Sequence, residues 1–411
     1  MHLPNEDKLN FIFNSKLKTI SFIFLGLGIL SIVLQIIFPW HSHSETHGNP
    51  RLFYSLYLGF LVFLPIAIGS LFFVAVHHLS GAAWSVTYRR LAESHFWFMP
   101  VIVIIFLILM LTGIDTIFHH WTHAKETDEL IKHKSGWLNK PFFLTRNVII
   151  FFIWTLFGWF FWKYSTQQDI DGKFEHTPNL AKISAVFAVI FGITISTTSW
   201  DLSMSLEPHW FSTIWAIYIF AGVLLSSFSV LAIWSYFLKK AGYYENTLTE
   251  DHLHDIGKYL WGSSIFWAYI GIASQFLLIW YAHIPEETIF FNYRLYNENF
   301  SHTPWALVSL VLVFNRFLVP FFLLIKRESK RNFQWMAFSS LVILLGQVVD
   351  MYWVLYPTLD HGNFVMISWQ ELGSLFFYSG LYILVISYGL SKVKIIPIKD
   401  PRLEECLHSH H

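Results

Sequence analysis

Residues Ile183–Leu238 read ISAVFAVIFGITISTTSWDLSMSLEPHWFSTIWAIYIFAGVLLSSFSVLAIWSYFL. Two apolar runs, Ile183–Trp200 and Phe211–Leu238, flank a short hairpin that carries Asp201, Glu207, His209 and Trp210, with Trp200 at its edge. A helix that crosses the hydrocarbon layer needs roughly 20 mostly apolar residues. Each run therefore reads as a membrane span, and the polar hairpin as the connection that returns the chain at one face.

Working outward, the same criterion selects Phe142–Tyr164, Phe96–Phe118, Phe53–Leu79 and Ile20–Phe38 on the N-terminal side. On the C-terminal side it selects Tyr259–Ala282, Trp305–Leu324, Phe333–Tyr356 and Leu372–Leu390. The prediction is an all-α integral membrane protein of about ten transmembrane helices, with residues 1–411 forming a single membrane domain. Composition agrees, because 55% of the 411 residues are hydrophobic and only 13% are charged, far from the balance of a soluble domain. Connections near Trp121–Lys140, Gln167–Pro178 and Lys239–Lys258 are too short to fold alone. The polar N-terminus precedes no small-residue cleavage pattern, so the first apolar run reads as a retained span.

Lysine and arginine orient the bundle. With a cytoplasmic N-terminus, nineteen of them fall in cytoplasmic segments, including Arg89, Arg90, Lys239, Lys258, Lys330 and Arg402, and six fall on the opposite face. That asymmetry predicts both termini in the cytoplasm. Lys+Arg and Asp+Glu both total 27, which gives no electrostatic case for nucleic acid. Cys406 is the single cysteine, so this chain alone cannot supply a disulfide, ligate an iron–sulfur cluster or attach a c-type haem. Any redox centre must come from a partner.

Ionisable groups at membrane depth are costly unless paired or hydrated, and they are the functional candidates. Arg316 lies roughly 16 Å from the outer end of its span, and Asp350 roughly 9 Å deep in the next, at 1.5 Å per residue. Two readings fit: an Arg316–Asp350 pair that locks neighbouring helices, or a proton or substrate relay built on Asp350, Gln347, Asn315 and Gln275. Asp115, His119 and His123 fall at i, i+4 and i+8, which on one helix makes a carboxylate–histidine ladder for protons, a metal site or a solvated helix end. Similar apolar strings precede Asp115 and Asp350, placing the two at similar depth. His77 and His78, followed by Trp84, Tyr88, Arg89 and Arg90, read as an interfacial collar. The histidine-rich stretches His41–Gly48 and Leu407–His411 read as solvated loops with at most loose zinc affinity.

In the hairpin, Pro208 suits the first turn of the sixth span, with Ser205 or Glu207 near the cap and the helix dipole favouring the Glu207 anion. Asp201, Glu207, His209, Trp200 and Trp210 then gather at the outer edge. Aromatic walls accept a ring and a carboxylate or imidazole accepts a hydroxyl proton, so hydroquinone handling is one reading. A tryptophan-anchored hairpin is the other.

The run Trp200-Asp201, Met204-Ser205-Leu206-Glu207-Pro208, Trp210-Phe211-Ser212-Thr213, together with the ten-span layout and VFNRFLVPFFLL, resembles the NrfD-like (polysulfide-reductase-type) membrane subunits. Within that family it looks most like the second, smaller such subunit of bacterial alternative complex III. The resemblance implies two four-helix bundles, spans 2–5 (residues 53–202) and 6–9 (residues 211–357), flanked by spans 1 and 10. It also implies a complex of the bacterial cytoplasmic membrane that oxidises menaquinol or ubiquinol and passes electrons to cytochrome c or to cytochrome c oxidase. The partners implied are a second NrfD-like subunit, an iron–sulfur subunit, c-type cytochrome subunits and the phospholipid of the bilayer. Proton conduction would then involve Asp115, His119, Asp201, Glu207, His283, Asp350 and Glu371 toward the outer half. His77, Gln275, Asn315, Arg316 and Gln347 would serve deeper in the layer. A secondary transporter would need inverted repeats and midplane helix breaks, and Pro320 is the main internal break.

Overall fold

The computed structural model describes residues 6–40, 49–244, 247–278, 285–292, 294–295, 302–360 and 362–408. Among these residues there is no strand, and the long elements are α1 Ser15–Ile37, α2 Pro50–Leu79, α3 Val86–Ser94, α4 Met99–Ile117, α5 Lys140–Asp171 and α6 His176–Leu202. They continue with α7 Trp215–Lys240, α8 Glu250–Ala268, α9 Pro304–Val313, α10 Phe333–Leu355, α11 Trp369–Leu390 and the short α12 Leu403–His408. Nine helical segments among the described residues are long and apolar enough to cross a membrane. The expected segment Tyr259–Ala282 is not one of them. It starts inside α8, behind Glu250, Asp251 and Asp255, and passes into a π-helix over Tyr269–Leu278; residues 279–284 lie outside the described set.

Helix starts follow cap chemistry. Asn14 accepts from the Leu17 N–H at 2.9 Å and opens α1, and Asn139 accepts from the Phe142 N–H at 3.0 Å and opens α5. Several helices outrun their apolar runs: α6 begins at His176, a full turn and more before Ile183, because backbone bonding continues through the interface where side chains need not be apolar.

The centre of the molecule is α2, whose most apolar window is 89% buried, against 22% for α1. It packs on α4, α6, α7 and α11, while α7 packs on α8 and α10. The outermost helix α1 lies along α11. A Cβ at Gly28 would collide with the Phe377 backbone, and one at Gly380 would reach 2.6 Å from the Leu25 nitrogen, so these glycines let the two backbones touch. Before α1 and after α11 the chain ends meet in an antiparallel bridge between Asn10 and Lys394, with the Ile395 N–H donating to the Leu9 carbonyl at 2.8 Å.

At that same face Arg89 pairs with Asp400, and Arg90 pairs with Glu93 at 2.8 Å and with Asp169 at 2.5 Å. The C-terminal segment is thereby folded back under the bundle. Its Cys406 thiol, fully buried and 3.2 Å from His252, is pushed up to about 11 by burial. At pH 8 alkylation of Cys406 in the folded protein is expected to run roughly a hundredfold slower than in the denatured chain, because the thiolate is scarce and screened. Equal labelling rates with and without denaturant would show that the segment is not docked.

Candidate functional site

Arg316, fully buried, sits where helix geometry is irregular. The α9 segment widens into π-turns over Phe314–Leu318 before continuing as Val319–Leu324, and Arg316 projects from those turns. The wider turn leaves the Arg316 carbonyl to accept from the Ser264 hydroxyl at 2.6 Å. The guanidinium then passes between two backbones that lack side chains. A Cβ at Gly222 would meet Arg316 Nη2 at 2.9 Å, and one at Gly346 would meet Arg316 Cδ at 2.9 Å. It ends on Asp350, with Nη2 donating to Oδ2 at 2.9 Å and both side chains within 1% of full burial. The Tyr218 hydroxyl donates to the other oxygen, Oδ1, and the Trp267 ring lies 5.4 Å from the guanidinium carbon.

The pair anticipated from depth alone is therefore present. Its environment is incompletely satisfied: Arg316 Nε and Nη1 and Gln347 Oε1 have no hydrogen-bond partner among the described residues. Buried groups of this kind call for water. Two small cavities adjoin Tyr218, and one of them also borders Gln347 and Asp350. One, of about 40 Å³, is lined by Pro65, Tyr218, Gln347 and Asp350; the other, of about 70 Å³, is lined by Tyr218, Trp267, Gln275 and Ser309. Each exceeds the ~15 Å³ that one water needs. Tyr218 stands between them with its phenol on Asp350, an arrangement that can hand a proton from water to hydroxyl to carboxylate. Gln275 donates to Ser212 at 2.9 Å, at the rim of the second cavity. Asn315 is half-buried beside Arg316 on the π-turn.

Three further carboxylates each have their own arginine. Asp201, fully buried, accepts from Arg146 Nε at 2.7 Å and Nη2 at 2.8 Å, from Asn147 Nδ2 at 2.9 Å and from Trp137 Nε1 at 3.0 Å. The Arg146 guanidinium lies on the Trp137 and Phe142 rings, at 3.8 and 4.4 Å. Glu207 accepts from Arg294 at 2.6 Å, and Arg294 also donates to the Phe290, Trp353 and Val354 carbonyls. Glu371 takes both ends of Arg51, at 2.8 and 2.9 Å, as well as the Tyr356 hydroxyl and the Ser368 N–H of its own capping box. Protonating any of the three must break a hydrogen-bonded ion pair, as it must at Asp350, and none of the three lines either cavity beside Tyr218.

The hairpin departs from its sequence reading in one respect. Pro208 is not in the first turn of a helix, for α6 ends at Leu202, a 3₁₀ turn spans Met204–Leu206, and α7 begins only at Trp215. Its carbonyl accepts from Lys134 Nζ at 2.6 Å. The helix-dipole argument for Glu207 thus lapses, and Arg294 supplies the positive charge instead.

Nor do the five hairpin candidates form one cluster. Trp200 and Trp210 border a cavity of about 270 Å³ together with Trp137, Met204 and Phe211. Asp201 lies behind it with its oxygens occupied. His209 is more than half exposed and bonds to Asp128 Oδ2 at 2.7 Å. The Asp128 carboxyl is held below its usual range first by the Ile131 N–H and then by His209. Trp210 stacks on Phe290 at 4.1 Å between ring centroids.

The Asp115–His119–His123 ladder is interrupted as well. Helix α4 stops at Ile117, Phe118 leaves helical geometry, and His119–Thr122 form a separate turn. Asp115 is half-exposed and pairs with Lys140 at 2.5 Å, with His123 at 3.9 Å. Its burial is unlike that of Asp350 despite the matching apolar strings. His283 and most of the histidine-rich stretches, residues 41–48 and 409–411, lie outside the described residues.

Sequence reasoning missed Tyr218, 132 positions from Asp350, and the partners Arg146, Asn147 and Trp137 of Asp201. It also missed a second buried polar set, in which His95 Nε2 meets the Tyr382 hydroxyl at 2.6 Å and Trp234 Nε1 donates to the same oxygen at 3.1 Å. Compared with models of known protein families and with curated proteins, the chain matches none of them.

Proposed function

We propose that this chain is a membrane subunit of a quinol:cytochrome c oxidoreductase of the alternative complex III type, in which it serves assembly and conducts protons. The observation that carries the proton-conducting role is Asp350, shared by Arg316 and Tyr218 and bordering one water-sized cavity, with Tyr218 also bordering a second. The hairpin motif and the span layout carry the assignment to the NrfD-like subunits.

Helix packing is in keeping with two four-helix groups. The elements α2, α4, α5 and α6 contact one another, as do α7, α8, α9 and α10, directly or through the π-turn that extends α9, and α1 and α11 lie beside the first group. The bridge between the chain ends places the start of α1 and the end of α11 at one face, which supports an even number of crossings with the α8 segment as the tenth. The lysine asymmetry favours the cytoplasm of a bacterium for that face. Redox centres would reside in iron–sulfur and c-type cytochrome subunits, beside a second NrfD-like subunit and, downstream, cytochrome c oxidase.

The test is purification of the intact complex from native membranes carrying Asp350→Asn. The complex is expected to assemble with full haem and iron–sulfur content and to show at least a ~hundredfold fall in proton-coupled turnover, the lower end of the range for a positioned proton carrier. Normal turnover with reduced haem recovery would leave the pair as a structural lock. Failure to recover any haem or iron–sulfur partner would overturn the assignment to such a complex.

A second reading, binding of menaquinol or ubiquinol at this subunit, rests on the aromatic cavity beside Trp137, Trp200 and Trp210. It is the weaker one, because Asp201 has no free oxygen facing a ligand there. Photolabelling by an azidoquinone within residues 200–211 would favour it.

A further inference from the structure

On the lysine-rich face, an open groove of about 470 Å³ that includes none of Asp350, Arg316 and Tyr218 runs along one side of α8. Asp255 and Lys258 stand at its head, paired at 2.6 Å, and Gly262 and Phe266 follow on the same helical side. From Asp255 to Phe266 the groove covers about 16 Å of helix, at 1.5 Å per residue. Trp84 and Tyr259 wall the head, their rings stacked at 5.6 Å. At Gly262 a Cβ would meet nothing within 4 Å, so the floor is open space rather than a packed contact.

This gradient, from a charged head through an aromatic collar to an apolar foot, is that of one leaflet of a bilayer. We propose that the groove binds a zwitterionic phospholipid of the ethanolamine class, with its ammonium on Asp255, its phosphate on Lys258 and one acyl chain descending past Gly262 to Phe266. The charge pattern selects the headgroup. Lys258 is already neutralised by Asp255, so a net anionic lipid gains little there, whereas a zwitterion meets an opposite charge at both ends. A quinone carries no charge with which to use the pair. A choline headgroup has no N–H to donate to the carboxylate.

The full-length chain, purified in mild detergent, would be examined by native mass spectrometry with added phosphatidylethanolamine, phosphatidylcholine, phosphatidylglycerol or ubiquinone. One phosphatidylethanolamine is expected to survive activation that strips the other lipids. Gly262→Phe starts from a Cβ that meets nothing within 4 Å and puts a ring into the floor, and it is expected to reduce that occupancy at least tenfold at unchanged thermal midpoint. Asp255→Asn is expected to erase the preference for phosphatidylethanolamine over phosphatidylcholine, and it decides the matter should the first variant unfold. The proposal is overturned if phosphatidylglycerol or ubiquinone is retained equally well, if Gly262→Phe folds and keeps its lipid, or if Asp255→Asn keeps the preference. Failure here leaves the proton role of Asp350 untouched, since the two sites share no residue.

Discussion

Arg316→Leu is expected to destabilise the protein by about 3–5 kcal/mol, because it strands Asp350 as an uncompensated charge in the bundle. The double change Arg316→Leu with Asp350→Leu should recover most of that loss, since replacing both members of a buried pair by apolar groups is often neutral. Unfolding midpoints of the two single variants and the double variant, measured in one detergent, close the cycle. Recovery of stability without recovery of proton-coupled turnover would separate the two roles of the pair. A double variant as unstable as Arg316→Leu would mean that the guanidinium is held for its contacts with Trp267 and Ser264 rather than for Asp350.

The second large effect belongs to Arg146. Truncation to Ala removes a two-pronged bond to Asp201 and two aromatic contacts together, and leaves a fully buried carboxylate with only Asn147 and Trp137. The expected loss is again about 3–5 kcal/mol. Arg146→Lys should rescue little, because a compact ammonium cannot engage both oxygens or lie flat on Trp137. Hydrogen exchange over residues 203–214 is the sensitive readout, since the hairpin hangs from the end of α6 where Asp201 sits. Protection preserved in Arg146→Ala would show that the hairpin is held by Glu207–Arg294 and Trp210–Phe290 instead.

Much of this architecture was legible in the sequence because the hydrocarbon layer imposes a length that few other constraints mimic. The same arithmetic placed Arg316 and Asp350 within reach of each other. Partners that depend on rotation about a helix axis were not legible. Tyr218 sits in IWAIYIFAG without any local mark that sets it apart from the other seventeen tyrosines. Pro208 satisfied the rules for a helix start, yet those rules hold equally for a tight turn, and the chain chose the turn. Asp115 and Asp350 followed similar strings and met different fates, because what surrounds a residue is decided by segments far away in the chain. Asp201, Glu207 and Glu371 taught the same lesson. Their types suggested proton carriers, and their pairing with Arg51, Arg146 and Arg294 was not legible in the sequence.

The close seam between α1 and α11 has a consequence in time. The ribosome delivers α1 well before α11, yet most of the contacts of α1 are with that helix, made more than 300 residues later. At synthesis rates of roughly 5–20 residues per second, the newborn first span waits on the order of 15–75 seconds alone in lipid. Its outward-facing Ile, Leu and Phe side chains suit that solitude, while Gly28 keeps a bare strip ready for the last arrival. The seam forms only once α11 is made, so chains released before it would be missing the seam and the return of residues 394–408 beneath the bundle, a difference that membrane quality control can read.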